Sequence, residues 1–195
     1  MMDVYVVLYK DFTSLDAFGP VEVLSRIEEL RIKFVSLYGG KVTNTQSLQI
    51  ETAPLTAIRR DGILVVPGGF GSREVIKDET FIKALTEAGE KSRYVLSVCT
   101  GAALVAQTGL LDGCKATTNK KAFSWVAGQR SSVKWDKEAR WVSAGKCYTS
   151  AGVSAGIDMA LGFVQDVFGA DQAERISTEM EYHRHRTAVN DSFGV

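Results

Sequence analysis

Residues 93–113 read RYVLSVCTGAALVAQTGLLDG. The run YVLSV is apolar and β-branched, as a strand buried on both faces is. It leads straight into Cys99. GAALVAQ follows as a short helix, and Gly109 is placed to stop it. The stretch therefore predicts a strand, a sharp turn and a helix, with a thiol at the turn. A side chain on such a turn is pushed beyond the sheet edge into open space. The helix behind it aims free N–H groups and partial positive charge at the sulfur, an arrangement expected to favour thiolate over thiol.

Working outward, the same strand and helix alternation recurs. Residues 4–9 (VYVVLY), 32–37 and 63–66 (ILVV) read as further buried strands. VEVLSRIEEL places Val21, Leu24 and Ile27 at helical spacing, with Pro20 suited to the first helical turn. Residues 42–51 read as extended chain containing a turn. Residues 80–91, 122–130 and 155–168 read as helices, the last closed by Gly169, and Asp171 is a candidate N-cap for one more helix. Residues 116–118 form a brief strand, and WVSAGKCYT (141–149) a hairpin. The alternation predicts a three-layer α/β/α sandwich with a mostly parallel central sheet. Residues 1–195 are expected to form one domain, with a poorly defined polar tail from about 184.

Composition limits the function classes. An apolar share of 45% and a charged share of 24% suit a soluble globular protein. The 23 Lys+Arg balance the 23 Asp+Glu, so the basic excess that nucleic-acid binding needs is missing. No run reaches the roughly 20 apolar residues of a membrane span, and MMDVYVVLYKDF does not read as a secretory leader. Three cysteines without close pairing argue against a disulfide framework, and a reducing cytoplasm is the simple expectation. With only His183 and His185 and no CxxC, no metal is expected. Nor is a cofactor, because the glycine loop after residue 66 lacks the Lys-Ser/Thr pair of a phosphate loop.

In a parallel α/β sheet, ligands bind beyond the carboxyl ends of the strands. That rule gathers three loops. The first carries Asp16 within SLDAFGPVEVL, which is either a helix cap or a proton partner for Cys99. The second is Pro67-Gly68-Gly69-Phe70-Gly71, which is either an ordinary turn or a donor of N–H groups. A Gly69 amide together with that of Thr100 would form an oxyanion hole. The third is the cysteine turn itself. Phe70, Phe123 and Trp125 are candidates for either the pocket or the core.

Four segments, DFTSLDAFGPVEVL, VVPGGFG, SVCTGAALVAQTGLLDGCKATTN and TSAGVSAGIDMALGFVQDVFG, together resemble the ThiJ/PfpI superfamily, in particular its isonitrile hydratase-like branch. The resemblance implies a flavodoxin-like fold, a homodimer and a nucleophile-elbow cysteine. Carried over by position, Cys99 is the nucleophile and Asp16 its acidic partner, where many relatives have glutamate. The amides of Gly69 and Thr100 hold developing charge, and the Thr100 hydroxyl lines the pocket beside Gly68 and Phe70. The departure is Asn119, in ATTNKKAF, where many relatives carry histidine. It either binds substrate or holds the turn.

Loss of that imidazole weakens protease or amidase readings, which need a proton for an amine leaving group. A hydratase expels no amine. The resemblance thus implies thiolate addition to a small electrophile R–NC and hydrolysis to an N-substituted formamide. Action on reactive carbonyls, as in a glutathione-independent glyoxalase, is the alternative enzyme. Redox sensing through oxidation of Cys99 is the alternative of another class. Similar domains are also fused to helix-turn-helix regulators, but this sequence shows no basic patch.

Overall fold

The computed structural model describes residues 1–189 and 191–194. Its strands are β1 (Met2–Val7), β2 (Leu30–Ser36), β3 (Gly40–Thr43), β4 (Gln49–Pro54), β5 (Ile63–Val66), β6 (Tyr94–Val98), β7 (Lys115–Ala116), β8 (Lys134–Trp135), β9 (Trp141–Ala144) and β10 (Cys147–Ser150). Its helices are α1 (Ser14–Leu24), α2 (Ser72–Val75), α3 (Glu79–Lys91), α4 (Gly101–Gln107), α5 (Phe123–Ala127), α6 (Ala155–Phe168) and α7 (Ala170–Glu179).

Eight strands form one sheet in the order β3-β4-β2-β1-β5-β6-β10-β9. The six from β4 to β10 run parallel, and β3 and β9 close the two edges antiparallel. Val4, Val6 and Val7 in β1 and all of β5 are buried, as strands covered on both faces must be. Helices α1, α6 and α7 pack together on one side, and α2–α5 gather around α4 on the other. This is the flavodoxin-like sandwich expected. The chain leaves β1 towards β2 on one side and returns to β5 on the other. The strand order therefore reverses between β1 and β5, where such sheets open a crevice.

Two expectations are corrected. Helix α1 begins at Ser14, so Asp16 lies in its first turn and Pro20 in its interior. Pro20 cannot donate to the Asp16 carbonyl. Packing against α6 outweighs that loss: Ala17, Val23 and Leu24 are fully buried, and Gly19 lets Ile157 approach so closely that a Cβ would stand 3.0 Å from it. Helix α7 begins at Ala170 after Gly169, which has φ +99°, so Asp171 is a first-turn residue and not the cap.

Residues of the polar tail also contact the domain. Ala188 accepts the Arg140 N–H at 2.8 Å, and Asp191 N–H donates to Glu138 at 2.8 Å. The physical reason is the buried Arg140 guanidinium, which pairs with Asp158 at 2.6 Å and reaches Asp191 at 3.5 Å. Asn190 and Val195, part of the same expected tail, lie outside the described residues.

Candidate functional site

Cys99 sits where β6 ends and α4 is about to begin, with φ +57°. That left-handed conformation is costly for a residue bearing a Cβ. Its backbone is held on both sides. The Cys99 N–H donates to Ser150 at the end of β10 at 3.2 Å, and the Cys99 carbonyl accepts the Thr118 hydroxyl at 2.7 Å. The chain passes close to β5 directly after the turn: a Cβ at Gly101 would collide with the Val66 carbonyl at the strand's end. Cys99 is buried, at 7% exposure.

Asp16 is fully buried at the same place. Its Oδ2 accepts the Gly68 N–H at 3.1 Å. Its Oδ1 completes no hydrogen bond among the described residues, and the Cys99 side chain pulls on the carboxyl as a whole. Burial lifts the carboxyl from 3.8 to about 7, against the pull of the Cys99 thiol and the Gly68 N–H. Burial also pushes the Cys99 thiol far up, and the Asp16 charge pushes it further. The Thr100 N–H and the Asn119 side chain pull the thiol down, without prevailing.

This corrects the expected preference for thiolate. The helix behind the sulfur has the expected sign, but removal from water and a neighbouring carboxylate outweigh it. Carboxyl and thiol form a coupled pair that keeps one proton above neutral pH. Thiolate beside neutral carboxyl is the minor arrangement of that proton.

The glycine loop is more occupied than its sequence suggested. The Gly68 N–H serves Asp16, and a Cβ there would stand 2.6 Å from both Thr100 N and Oγ1. The Gly69 N–H donates to Thr100 Oγ1 at 3.0 Å. Ser72 Oγ donates to the Gly69 carbonyl at 2.7 Å and lies 3.0 Å from the same Thr100 hydroxyl. Thus the Gly69 amide and the Thr100 hydroxyl satisfy each other, and the Thr100 amide is the backbone donor facing the thiol. Phe70 follows, 81% exposed and therefore not part of the core. Phe123 and Trp125 are half-buried, and Trp125 stacks under the Arg73 guanidinium at 4.1 Å.

Asn119 does reach the cysteine. Its Oδ1 accepts the Ala122 N–H at 2.9 Å, which orients Nδ2 towards the thiol. Gly152 completes this wall: a Cβ there would collide with Asn119 Nδ2 and stand 3.1 Å from Cys99 Sγ. Gly152 was not singled out from the sequence, although it follows a strand in the quoted TSAGVSAG segment. Treating residues 141–149 only as a hairpin hid a fourth loop at the same sheet edge.

Tyr9, also unforeseen, is buried with its hydroxyl donating to the Pro67 carbonyl at 2.7 Å. Burial and the Asp16 and Cys99 charges push its phenol well up. Nothing in its sequence context separates it from a core aromatic. His183 and His185 lie after α7, and the His185 N–H donates to Asp158.

Residues 2–166 match the DJ-1/PfpI family. The chain belongs to that family. An isonitrile hydratase from Pseudomonas putida is 30% identical over 178 residues, covering 90% of this chain and 76% of that protein. The HTH-type transcriptional regulator GbdR of Pseudomonas aeruginosa is 28% identical over 202 residues, covering 90% of this chain and 51% of the regulator. Among solved structures, a THiJ/PfpI family protein from Pseudomonas syringae superimposes with a TM-score of 0.86 at 28% identity, covering 94% of this chain and 76% of that one. Drosophila melanogaster DJ-1beta gives 0.79 at 18% identity, covering 93% and 98%, a likeness of fold alone. As a DJ-1/PfpI protein, the chain has among its described residues no helix long and apolar enough to cross a membrane.

Proposed function

We propose that this protein adds water to isonitriles, giving N-substituted formamides, with Cys99 as nucleophile and Asp16 as proton carrier. The observation that carries the reading is the fully buried carboxyl beside the elbow thiol, ionising near 7, with the Asn119 amide facing the sulfur. A proton carrier works best when its pKa lies near the working pH. The likeness to the Pseudomonas putida isonitrile hydratase supports the same substrate class.

The proton and electron count closes without another reagent. Cys99 sulfur bonds to the terminal carbon of R–N≡C while the Asp16 carboxyl gives that carbon a proton, forming a thioimidate, R–N=CH–S. Water then bonds to the same carbon. Asp16 takes a proton from that water and delivers it to nitrogen. When the remaining hydroxyl proton passes to Asp16, the carbon–sulfur bond breaks, formamide leaves and thiolate beside neutral carboxyl is restored. The Thr100 amide and Asn119 Nδ2 are placed to hold the anionic sulfur between steps. The proposal takes residues 1–195 as one domain that acts as a cytoplasmic homodimer without metal or cofactor.

The test is turnover of an aryl isonitrile by wild type and Cys99→Ser, with methylglyoxal run in parallel. Formamide from wild type, with at least a hundredfold loss in the serine variant, is the expected result. Turnover of methylglyoxal alone moves the same residues to carbonyl chemistry. Oxidation of Cys99 with neither substrate consumed overturns the hydratase reading in favour of a redox role.

A further inference from the structure

Residues 117–120 run past the back of the cysteine turn, and each of the four side chains is fastened. Thr117 Oγ1 donates to the Asp136 carbonyl at 2.7 Å, and its N–H donates to Thr149 Oγ1 at 2.9 Å. Lys120 Nζ donates to the Ala139 carbonyl and to Thr117 Oγ1. Asn119 is held by the Ala122 N–H. Between these anchors Thr118, which is fully buried, directs its only hydroxyl proton to the Cys99 carbonyl at 2.7 Å.

We propose that Thr118 is a positioning residue for Cys99: its hydroxyl holds the cysteine carbonyl, and so keeps the strained turn and fixes where the sulfur stands. The inference rests on the reading of Cys99 as nucleophile. The geometry explains why a tether is required. Cys99 occupies a left-handed conformation that an L side chain relaxes out of unless its surroundings hold it. Rotation of the Cys99 peptide would carry Cβ, and with it Sγ, away from Asp16 and from the donors at Thr100 and Asn119. The other acceptor contact of that carbonyl, from the Ala102 N–H, is longer, at 3.3 Å. Thr118 touches no reacting atom. Its hydroxyl is used up on backbone, and its neighbour Asn119 supplies the group that faces the sulfur. One strap therefore sets both the turn and the donor beside the thiol. Fixing a nucleophile to within a fraction of an ångström is worth orders of magnitude in rate.

The experiment compares wild type with Thr118→Val, Thr118→Ser and Thr118→Ala. Two readouts are taken: the second-order rate of Cys99 alkylation by iodoacetamide, and isonitrile turnover. Valine keeps the shape and removes the donor. The expected result is a fall in kcat of about tenfold with KM within about twofold, the size of one lost buried hydrogen bond. Alkylation shifts more than about threefold, and serine restores both within about twofold. If the valine variant does not fold, the serine and alanine variants differ only by the hydroxyl oxygen and carry the same comparison. An alkylation rate that is unchanged in the folded variants lacking the hydroxyl overturns the positioning role. The two readings fail separately. Absence of isonitrile turnover in wild type removes the hydratase reading while alkylation still tests Thr118. Unchanged alkylation with turnover still abolished by Cys99→Ser removes only the role of Thr118.

Discussion

Replacing Asp16 by asparagine removes a carboxyl that ionises near 7 in the folded protein and near 3.8 in an unconstrained chain. Its folded value is raised, so the native state holds the proton more tightly than the unfolded one. The contribution to stability is present in full below 3.8 and is lost as pH rises through 7. Each pH unit of that window is worth about 1.4 kcal/mol, so wild type loses about 4 kcal/mol from this group across it. Asparagine keeps the acceptor for the Gly68 N–H, but it places an NH2 where Oδ1 now has no partner. That costs about 1–3 kcal/mol at every pH. The Asp16→Asn variant is therefore expected to be less stable than wild type at pH 4 and more stable at pH 7.5. The difference between the two proteins should change by about 3–4 kcal/mol over that range. Urea unfolding of both, at half-unit steps of pH, measures it. A difference that stays within about 1 kcal/mol from end to end would refute the buried, raised carboxyl and with it the proton carrier.

Two further outcomes follow from contacts already described. Gly152→Ala should cut turnover at least tenfold while the fold holds, because the new methyl must displace Asn119 Nδ2 and press on Cys99 Sγ; wild-type kinetics would show that this wall yields. Arg140→Met should destabilise by about 3–5 kcal/mol in urea, since it strands the buried Asp158 carboxylate. The double variant Arg140→Met, Asp158→Leu should recover only part of that loss, because Asp191 keeps its buried carboxylate and Tyr182 and the His185 N–H lose their acceptor.

The sheet was legible because its central strands are covered on both faces and so are written as unbroken apolar runs. Residues 63–66 and 94–98 were read at the bounds observed. The cysteine turn was legible because a buried strand runs into a small-residue helix with no room for a loop. Pro20 misled, since its rule concerns an isolated helix and the decisive factor was the fit of α1 onto α6. A contact of the polar tail was hidden for a similar reason: Asp191 is buried beside Arg140, which lies far away in sequence. At the site, residue types identified Cys99, Asp16 and Asn119, but they did not tell which N–H groups were already in use. The Gly69 amide and the Thr100 hydroxyl engage each other, a pairing no spacing rule contains. The raised thiol was illegible too, because it depends on how completely a short helix and a carboxyl are shut away from water.

The groups around the sulfur come from far-apart parts of the chain, from Tyr9 and Asp16 near the start to Gly152 beyond the last strand. No local segment contains them together, so a partly folded chain carries at Cys99 only an ordinary, solvent-exposed thiol. Such a thiol reacts with any alkylating agent or oxidant at the rate its intrinsic acidity dictates. Completion of the sheet shuts that indiscriminate reactivity off by burying the sulfur beside Asp16. Newly made or heat-shaken molecules are therefore the ones exposed to stray electrophiles, and irreversible damage at this position keeps a record of time spent unfolded.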